Sequence, residues 1–353
     1  MKRKDGFPIV PEALPITKGP KHHWFGYYDK LQFDASGKYV LGMEVDFGGR
    51  SPAPDDVIKV GMVDLHDSNR WIELGESRAW CWQQGCMLQW RLNHPNEILW
   101  NDRKGDKFVC HILDVKTGKK RTISAPIYSI DPTGKTAVFP DFRRINHMRP
   151  GYGYAGVPDP NEDIIAPVNS GIWRVDLDTG ETKLIISFAD VYSVPYRHGD
   201  FGDGRHWFNH LLFNPDGTRF IFLHRWRVGK DGWNTRMFTA SPEGKDLHIV
   251  DDYGEMSHFI WCDQKHILGW AKRPSNDWRF YLYEDRIENV EIVGEGVMTE
   301  NGHCSYLPGN EWILNDTYPD KQKMQHLYLY HIATGKKVPL GDFFIPEEYR
   351  GEW

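Results

Sequence analysis

Residues 206–227, HWFNHLLFNPDGTRFIFLHRWR, contain the pattern that decides the fold. Two runs of largely apolar residues flank Asn214-Pro215-Asp216-Gly217, a turn whose glycine accepts a positive φ. Such a pattern predicts two antiparallel strands joined by a tight turn. Similar stretches recur at FDASGKYVLGM (33–43), IDPTGKTAVF (130–139) and LPGNEWILND (307–316), with weaker copies at NHPNEILWND (93–102) and WCDQKHILGWA (261–271).

A second pattern, a strand that ends in Thr-Gly before another strand, alternates with the first. Its copies are VCHILDVKTGKKRTI (109–123), GIWRVDLDTGETKLI (171–185) and LYLYHIATGKKVPL (327–340), with weaker copies at 60–74, 237–250 and 280–293. The 92 residues from Gly217 to Gly309 span two repeats, so the period is about 46 residues, and the 83 residues from Gly134 to Gly217 reflect insertions in the middle of the chain.

A four-stranded meander of this length is typical of one β-propeller blade. We therefore predict an all-β fold, a single β-propeller domain over residues 1–353 with six recognisable repeats between residues 22 and 340. A loop at 143–170, rich in Gly, Pro and Tyr, interrupts the third repeat and is typical of a functional insertion. A β-sandwich or a pair of small barrels is the alternative fold.

The composition limits the kinds of partner and the compartment that are expected. The net charge of -6 and the lack of a long basic run argue against nucleic acid or a membrane surface as a partner. Five scattered cysteines indicate a reducing compartment. With no apolar leader at the amino terminus we expect a cytoplasmic protein, or a periplasmic or secreted one if the natural chain begins upstream. Fifteen tryptophans suit a core, and they also suit stacking on sugar rings.

Polar residues stand at equivalent points just before the first strand of several blades. They are His22 and His23, Gln83 and Gln84, His206 and His210, His258, and His303. In a propeller these positions meet at the mouth of the central channel, so we expect the side chains to converge there. The structural alternative is that each histidine bonds the backbone of a neighbouring blade.

Cationic and aromatic residues accompany the histidines. The insertion contains Arg143, Arg144, Arg149, Tyr152 and Tyr154, and the fourth blade adds Arg225, Trp226 and Arg227. Because guanidinium groups bind carboxylates in a bidentate manner, this composition indicates an acidic oligosaccharide or polysaccharide as partner. It also suffices for β-elimination from a uronic acid: a cation offsets the carboxylate charge, a His or Tyr removes the C5 proton, and a second donor protonates the leaving oxygen.

We predict catalytic roles for Arg149, Tyr152, Arg225 and His210, and substrate contacts from Arg144, His206 and Trp226. Pairing of the arginines with nearby aspartates is the structural alternative. His258 and His303, with His210 or Cys304, are candidate ligands for a divalent metal such as Mn, Zn or Ca. No organic cofactor is expected.

At NHLLFNPDG (209–217), SHFIW (257–261) and GHCSYLPG (302–309) the sequence resembles the oligogalacturonate lyase family and, more loosely, ulvan lyases. That resemblance implies a seven-bladed propeller, His210 as the base, and a divalent metal held by His258 and His303. The ulvan lyase comparison implies an active face with Gln84, Asn101 and Tyr152 or Tyr154.

We therefore expect a polysaccharide lyase that cleaves uronic-acid-containing glycans by β-elimination. Two alternatives remain: a non-catalytic carbohydrate-binding or scaffold propeller, and a glycoside hydrolase acting on glucuronate-linked sugars. Hydrolysis requires paired carboxylates, for which Asp102, Asp141 and Glu255 are the nearest candidates.

Overall fold

A computed structural model describes residues 12–229, 232–274 and 277–350. Over these residues it contains six antiparallel four-stranded sheets, and within each sheet the strands are hydrogen-bonded in chain order. The chain divides into two compact units, a larger one (17–254) with four sheets and a smaller one (12–16 and 255–350) with two. Each sheet is the four-stranded blade that the two alternating turn patterns predict.

The larger unit is built from sixteen strands. The first blade consists of β1 (His22–Trp24), β2 (Tyr39–Val45), β3 (Ile58–Asp64) and β4 (Arg70–Ser77). The second consists of β5 (Gln89–Trp90), β6 (Glu97–Lys104), β7 (Lys107–Asp114) and β8 (Lys120–Ile123). The third consists of β9 (Ser129–Ile130), β10 (Thr136–Pro140), β11 (Gly171–Asp176) and β12 (Thr182–Ser187). The fourth consists of β13 (Arg205–Phe213), β14 (Phe220–Arg227), β15 (Asn234–Ala240) and β16 (His248–Gly254).

Two short helices lie in the third blade, α1 (Phe142–Met148) after β10 and α2 (Phe188–Tyr192) after β12. The smaller unit has eight strands and a 3₁₀ turn at Glu347–Tyr349. Its first blade consists of β17 (Met256–Trp261), β18 (His266–Lys272), β19 (Trp278–Glu284) and β20 (Val290–Val293). Its second consists of β21 (Cys304–Tyr306), β22 (Trp312–Asp316), β23 (Met324–His331) and β24 (Lys336–Phe344). No helix in the described part of the chain is long and apolar enough to cross a membrane.

Local hydrogen bonds explain why the turns recur. In the fourth blade the Gly217 amide donates to the Asn214 carbonyl at 3.0 Å, and Gly217 has a φ of 75° that favours glycine. The Asn214 side chain accepts from the Arg219 amide at 3.0 Å. At the Thr-Gly turn of the third blade, the Asp176 carboxylate accepts from the Thr179 amide at 2.7 Å. These are the side-chain bonds to backbone that make Asn and Asp turn residues.

Two predictions about the blades need correction. The expectation of a seven-bladed design is wrong for residues 12–229, 232–274 and 277–350, which form six sheets and no seventh. The first hairpin is also less regular than its sequence indicates. Phe33 forms only an isolated bridge to Val40, and β2 pairs instead with the earlier strand β1.

Large aromatic side chains fill the core of the larger unit. The indoles of Trp80, Trp100, Trp207 and Trp226 are almost fully buried, so these four rings pack within the unit. Burial of each large apolar side chain contributes about 1.5–3 kcal/mol. The smaller unit has its own core, formed by Leu268, Trp270, Phe280, Ile313 and other side chains of its two blades.

Candidate functional site

An irregularity in β13 sets the position of His210. The first strand of this hairpin begins at Arg205, so His206 and His210 lie within the strand rather than in front of it. Pairing with β14 runs regularly to Asn209 and resumes at Leu212 with a shifted register. His210 has a φ of 53°, which is uncommon for a residue other than glycine. Bulges of this kind redirect a side chain and are frequent beside active sites.

His210 contacts side chains from several parts of the larger unit. Its Nε2 lies 2.9 Å from the Tyr152 hydroxyl. Its Nδ1 lies 3.2 Å from Gln84 Nε2 and 3.1 Å from the Tyr128 hydroxyl. The Tyr27 ring stacks on the imidazole at 4.7 Å with an interplanar angle of 17°. We refer to His210, Tyr152, Gln84, Tyr128 and Tyr27 as the His210 cluster.

The hydrogen bonds define the protonation of the imidazole. An amide nitrogen only donates, so Gln84 Nε2 donates to His210 Nδ1, and it also donates to the Tyr128 oxygen at 3.0 Å. The proton of the neutral imidazole is therefore on Nε2, and this N–H donates to the Tyr152 oxygen. Burial, reinforced by the charge of Asp29, raises the pKa of Tyr128 well above its usual value, so Tyr128 stays protonated.

The two tyrosines that hydrogen-bond to His210 differ in exposure. Tyr128 is 0% exposed, whereas Tyr152 and His210 retain 6% and 5%. Tyr152 and His210 are thus more exposed than Tyr128 and Gln84, which contact the imidazole at Nδ1. Catalytic groups need such fixed partners on their remote side to keep their orientation.

The insertion after β10 supplies Tyr152. Helix α1 begins after Asp141, whose carboxylate accepts from the Arg143 amide at 3.0 Å. Beyond the helix, Gly153 lies so close to Phe142 that a Cβ would come within 2.4 Å of the Phe142 carbonyl oxygen. This close approach requires glycine and holds Tyr152 against the helix.

Arg149 places a positive charge next to Tyr152. Its guanidinium carbon lies 3.9 Å from the centre of the Tyr152 ring and 4.7 Å from the centre of the Trp233 ring. The guanidinium of Arg225 lies 5.3 Å from the same Trp233 ring. All three distances are within the range of cation–π attraction. The predicted catalytic residues His210, Tyr152 and Arg149 are therefore neighbours, and Arg225 adjoins them through Trp233.

Arg144, a predicted substrate contact, is instead a structural centre of the insertion. Its side chain is fully buried and pairs with Asp159 at 3.1 Å, which is also fully buried. Its remaining N–H groups donate to four backbone carbonyls, those of Asn161, Ile164, Ile165 and His206. A guanidinium with its donors thus engaged has none left for a carboxylate of a substrate.

His206 and Trp226 also lie in packed surroundings. His206 Nδ1 is 2.7 Å from His224 Nε2, and the two imidazoles stack with Trp226 beside them. Burial, with a smaller contribution from the charges of Arg236 and Arg144, lowers the pKa of His206 to about 3. Both predicted substrate contacts are therefore neutral or apolar groups within the blade.

Asn101 and Tyr154, which the ulvan lyase comparison places on the active face, form a buried pair. Asn101 Nδ2 donates to the Tyr154 hydroxyl at 3.0 Å, and its amide group bonds both the N–H and the carbonyl of Ile127. Tyr154 stacks on Phe142 at 4.1 Å and is 0% exposed. The pair links the second blade to the third, whereas Gln84 and Tyr152 belong to the His210 cluster.

The candidate carboxylates for hydrolysis are engaged elsewhere. Asp102 is bonded to His111 at 3.1 Å. Burial raises its pKa, but the bonds from His111 and from the amides of Arg78 and Arg103 outweigh that effect and lower it overall. Asp141 caps α1 and pairs with Arg143. In the smaller unit Glu255 pairs with Lys272. An ionised, bonded carboxylate is a poor general acid, which disfavours the glycosidase alternative.

His258 and His303, the predicted metal ligands, are neighbours in the smaller unit. Their ring centres are 4.3 Å apart. His258 Nδ1 lies 2.9 Å from Asn301 Oδ1, and His303 Nδ1 lies 3.0 Å from an oxygen of Asp316. An oxygen at Nδ1 makes Nε2 the candidate ligand atom, as is usual at metal sites, and in His258 this atom lies 3.4 Å from the Tyr318 hydroxyl.

This pair does not form a complete metal site. Two imidazole nitrogens are fewer than the four ligands of a tetrahedral ion. Over residues 12–229, 232–274 and 277–350, no group of three or more His, Cys, Asp or Glu is arranged to hold a metal. Among the described residues the candidate metal ligands are therefore the pair His258 and His303, without a third protein ligand of these types.

Tyr128, Tyr27 and Trp233 are members of this region that the sequence patterns did not single out. For Tyr128 a signal was present, because it stands directly before β9 at the position equivalent to the histidines of other blades. For Trp233 there was none, since it lies in a connection between strands.

Comparisons with known proteins find similar folds among solved structures. No protein-family model and no curated protein match the sequence. Among solved structures, an oligogalacturonate lyase in complex with manganese has a TM-score of 0.64 at 15% identity, over 92% of this chain and 79% of that chain. An oligogalacturonate lyase from Vibrio parahaemolyticus has a TM-score of 0.61 at 14% identity, over 92% and 80%.

The β-propeller domain of the Trilobed protease from Pyrococcus furiosus has a TM-score of 0.51 at 10% identity, over 89% of this chain and 83% of that domain. The fold is a β-propeller of four-stranded blades, six of which are formed by the described residues. Because lyases and proteases share this fold, function has to be argued from the site.

Proposed function

We propose that this protein is a carbohydrate-active propeller that cleaves uronic-acid-containing glycans by β-elimination at the His210 cluster. The observation that carries the proposal is the 2.9 Å contact between Tyr152 and His210 Nε2, with the Arg149 guanidinium 3.9 Å from the Tyr152 ring. Tyr152 and His210 are thus two groups able to transfer a proton, and they lie next to the positive charge of Arg149. The similarity in fold to two oligogalacturonate lyases supports the same reading.

In the proposed reaction Arg149 binds the carboxylate of a uronate and offsets its negative charge. The C5 proton next to that carboxylate becomes more acidic, since the charge that develops when it leaves is stabilised by the cation. Removal of the proton leaves an electron pair that forms the C4–C5 double bond. The bond from C4 to the glycosidic oxygen breaks, and that oxygen leaves with a proton.

The Tyr152 phenolate, formed when the hydroxyl first releases its own proton to solvent, is the group that takes the C5 proton, and the tautomer of His210 favours this role. His210 Nε2 carries a hydrogen and donates it to Tyr152, so it stabilises negative charge on that oxygen rather than accepting a proton itself. Arg149 stabilises the same charge from the ring face. After abstraction, Tyr152 holds the proton that the leaving oxygen requires. His210 is then a positioning residue in place of the base that the resemblance implies.

The test is a continuous assay of elimination. The product has a conjugated double bond, so absorbance in the far ultraviolet should rise when the protein meets polygalacturonate, ulvan or glucuronan. We expect Tyr152→Phe to lower the rate by about 10²- to 10⁴-fold, the usual contribution of a general acid or base. Tyr192→Phe, a change at a 39% exposed tyrosine of the same unit, is the matched control and should have no effect.

Flat absorbance traces with the unaltered protein on all three polymers would overturn the elimination proposal. An unchanged rate in Tyr152→Phe together with a large loss in His210→Gln would return the role of base to His210. Binding of uronate without any turnover would favour the non-catalytic carbohydrate-binding alternative.

A further inference from the structure

One face of the fourth blade presents hydrogen-bond donors that the proposed reaction does not use. Trp207 and Asn209 are two residues apart on β13 and so share a face of the sheet. Trp207 lies opposite Arg225 on β14, and Arg205 lies opposite Arg227. Because directly paired residues of antiparallel strands point to the same side, both arginines belong to this face as well.

Two uncharged side chains on this face are buried without partners. Asn209 is 0% exposed, and neither its amide nitrogen nor its oxygen has a hydrogen-bond partner in the described part of the chain. Trp207 is also 0% exposed, and over the same residues its indole N–H has no partner. Buried polar groups are nearly always bonded, so such exceptions require an explanation. A ligand or an ordered water is the usual one.

Positive charge converges on the same region. The guanidinium groups of Arg149, Arg225 and Arg227 lie 4.7, 5.3 and 5.4 Å from the centre of the Trp233 ring. Arg227 also lies 5.8 Å from the Trp207 ring. Three cations surround one indole, and the buried N–H groups of Trp207 and Asn209 lie on the same face of the blade as Arg225 and Arg227, so this face is rich in donors. Such a surface fits an anion, and the half-buried Trp233 ring offers an apolar platform for a sugar.

We propose that Trp207, Asn209, Arg225, Arg227 and Trp233 form a second anion subsite, which binds the carboxylate of a neighbouring uronate in the same chain. The inference rests on the proposed function, since Arg149 lies between Tyr152 and Trp233 and so joins this subsite to the His210 cluster. The preferred substrate is then an oligouronate with consecutive charged residues. A glycan with isolated uronates would fill only one of the two positions.

Calorimetric titration of the full chain with galacturonate, trigalacturonate and neutral maltotriose tests the subsite. We expect trigalacturonate to bind at least tenfold more tightly than galacturonate, and maltotriose to bind more weakly than trigalacturonate. Arg227→Gln should weaken trigalacturonate binding about tenfold, as expected for one charge-assisted hydrogen bond, and should weaken galacturonate binding less than twofold. Asn209→Leu should also selectively weaken binding of the trimer.

Arg174→Gln is the matched control, because Arg174 is a partly exposed cation of the neighbouring blade that pairs with Glu243. Its binding of each sugar should equal that of the unaltered protein. Loss of trimer affinity in Arg227→Gln but not in Arg174→Gln supports the subsite. Equal affinity for monomer and trimer, or unchanged trimer binding in both Arg227→Gln and Asn209→Leu, overturns it.

The titration separates this inference from the proposed reaction. If trigalacturonate binds tightly and this depends on Arg227, but absorbance does not rise, the subsite is supported and the lyase function is refuted. If elimination occurs with no preference for the trimer, the lyase function is supported and the subsite is refuted. Failure of the unaltered protein to bind any uronate removes both. Glucose 6-sulfate tests whether a different anionic sugar binds. If the protein bound it as tightly as galacturonate, the assignment of the bound anion as a carboxylate would be overturned.

Discussion

Replacement of Arg144 by Met should unfold the insertion rather than weaken substrate binding alone. The guanidinium lies in a fully buried ion pair with Asp159 and also donates to four carbonyl oxygens at 2.7–3.1 Å. Methionine keeps most of the apolar length of the side chain but leaves the Asp159 carboxylate buried without its cation. Breaking a buried pair on one side costs about 3–5 kcal/mol of unfolding free energy.

Urea titration followed by tryptophan fluorescence measures this loss. Arg174→Met removes a partly exposed ion pair between Arg174 of the third blade and Glu243 of the fourth, and should cost no more than about 1 kcal/mol. In the double variant Arg144→Met/Asp159→Leu the buried charge is gone, so much of the lost stability should return. A loss below about 1 kcal/mol in Arg144→Met, with reduced uronate binding, would refute the reasoning and restore Arg144 as a substrate contact.

Three further predictions concern pH, packing and metal. The buried imidazoles of His206 and His224 have lowered pKa values, to about 3 for His206. Below pH 6.5 the unfolded chain therefore takes up protons that the folded chain does not. In urea titrations the free energy of unfolding should fall from pH 6.5 towards pH 3, by up to about 2.7 kcal/mol per pH unit for the two groups. An equal slope in His206→Phe/His224→Leu would contradict this. Gly302→Ala places a Cβ 1.3 Å from the Asp316 carbonyl oxygen and should lower the melting temperature by several degrees, whereas Gly48→Ala, with no atom closer than 3.7 Å, should leave it unchanged. Protein equilibrated with Mn²⁺ and then dialysed should retain less than one ion per chain by elemental analysis, because His258 and His303 supply only two ligands. Retention of one Mn²⁺ per chain would show that further ligands exist.

The blade architecture was predictable because each blade carries its own turn chemistry. Asn214 and Gly217 in one turn, and Asp176 and Thr179 in the other, form bonds within a few residues of sequence. Local patterns of this kind are visible in the amino-acid sequence itself. The number of blades in the design was inferred from a resemblance instead, and there the expectation of seven was wrong for the described residues.

The site was predictable only in part, since a side chain's role depends on partners distant in sequence. Equivalent blade positions pointed to His210 and Gln84, and these are in contact at 3.2 Å. The same reasoning could not separate Arg149 from Arg144 within one insertion. What distinguishes Arg144 is a set of carbonyls and a buried Asp159 that surround it only once the loop has folded. For His206, the neighbour His224 across the hairpin makes it a packed, neutral group.

Strand β13 shows where the molecule departs from what stability alone would favour. Over its nine residues, five buried polar atoms lack partners in the described part of the chain: one each in Arg205, His206 and Trp207, and two in Asn209. In the same strand, His210 adopts a positive φ. Each departure costs free energy, and in natural proteins such conflicts concentrate at functional sites. The two effects of Asn209→Leu should therefore have opposite signs: a buried amide without partners is replaced by an apolar group of similar size, which raises stability, while affinity for an oligouronate falls.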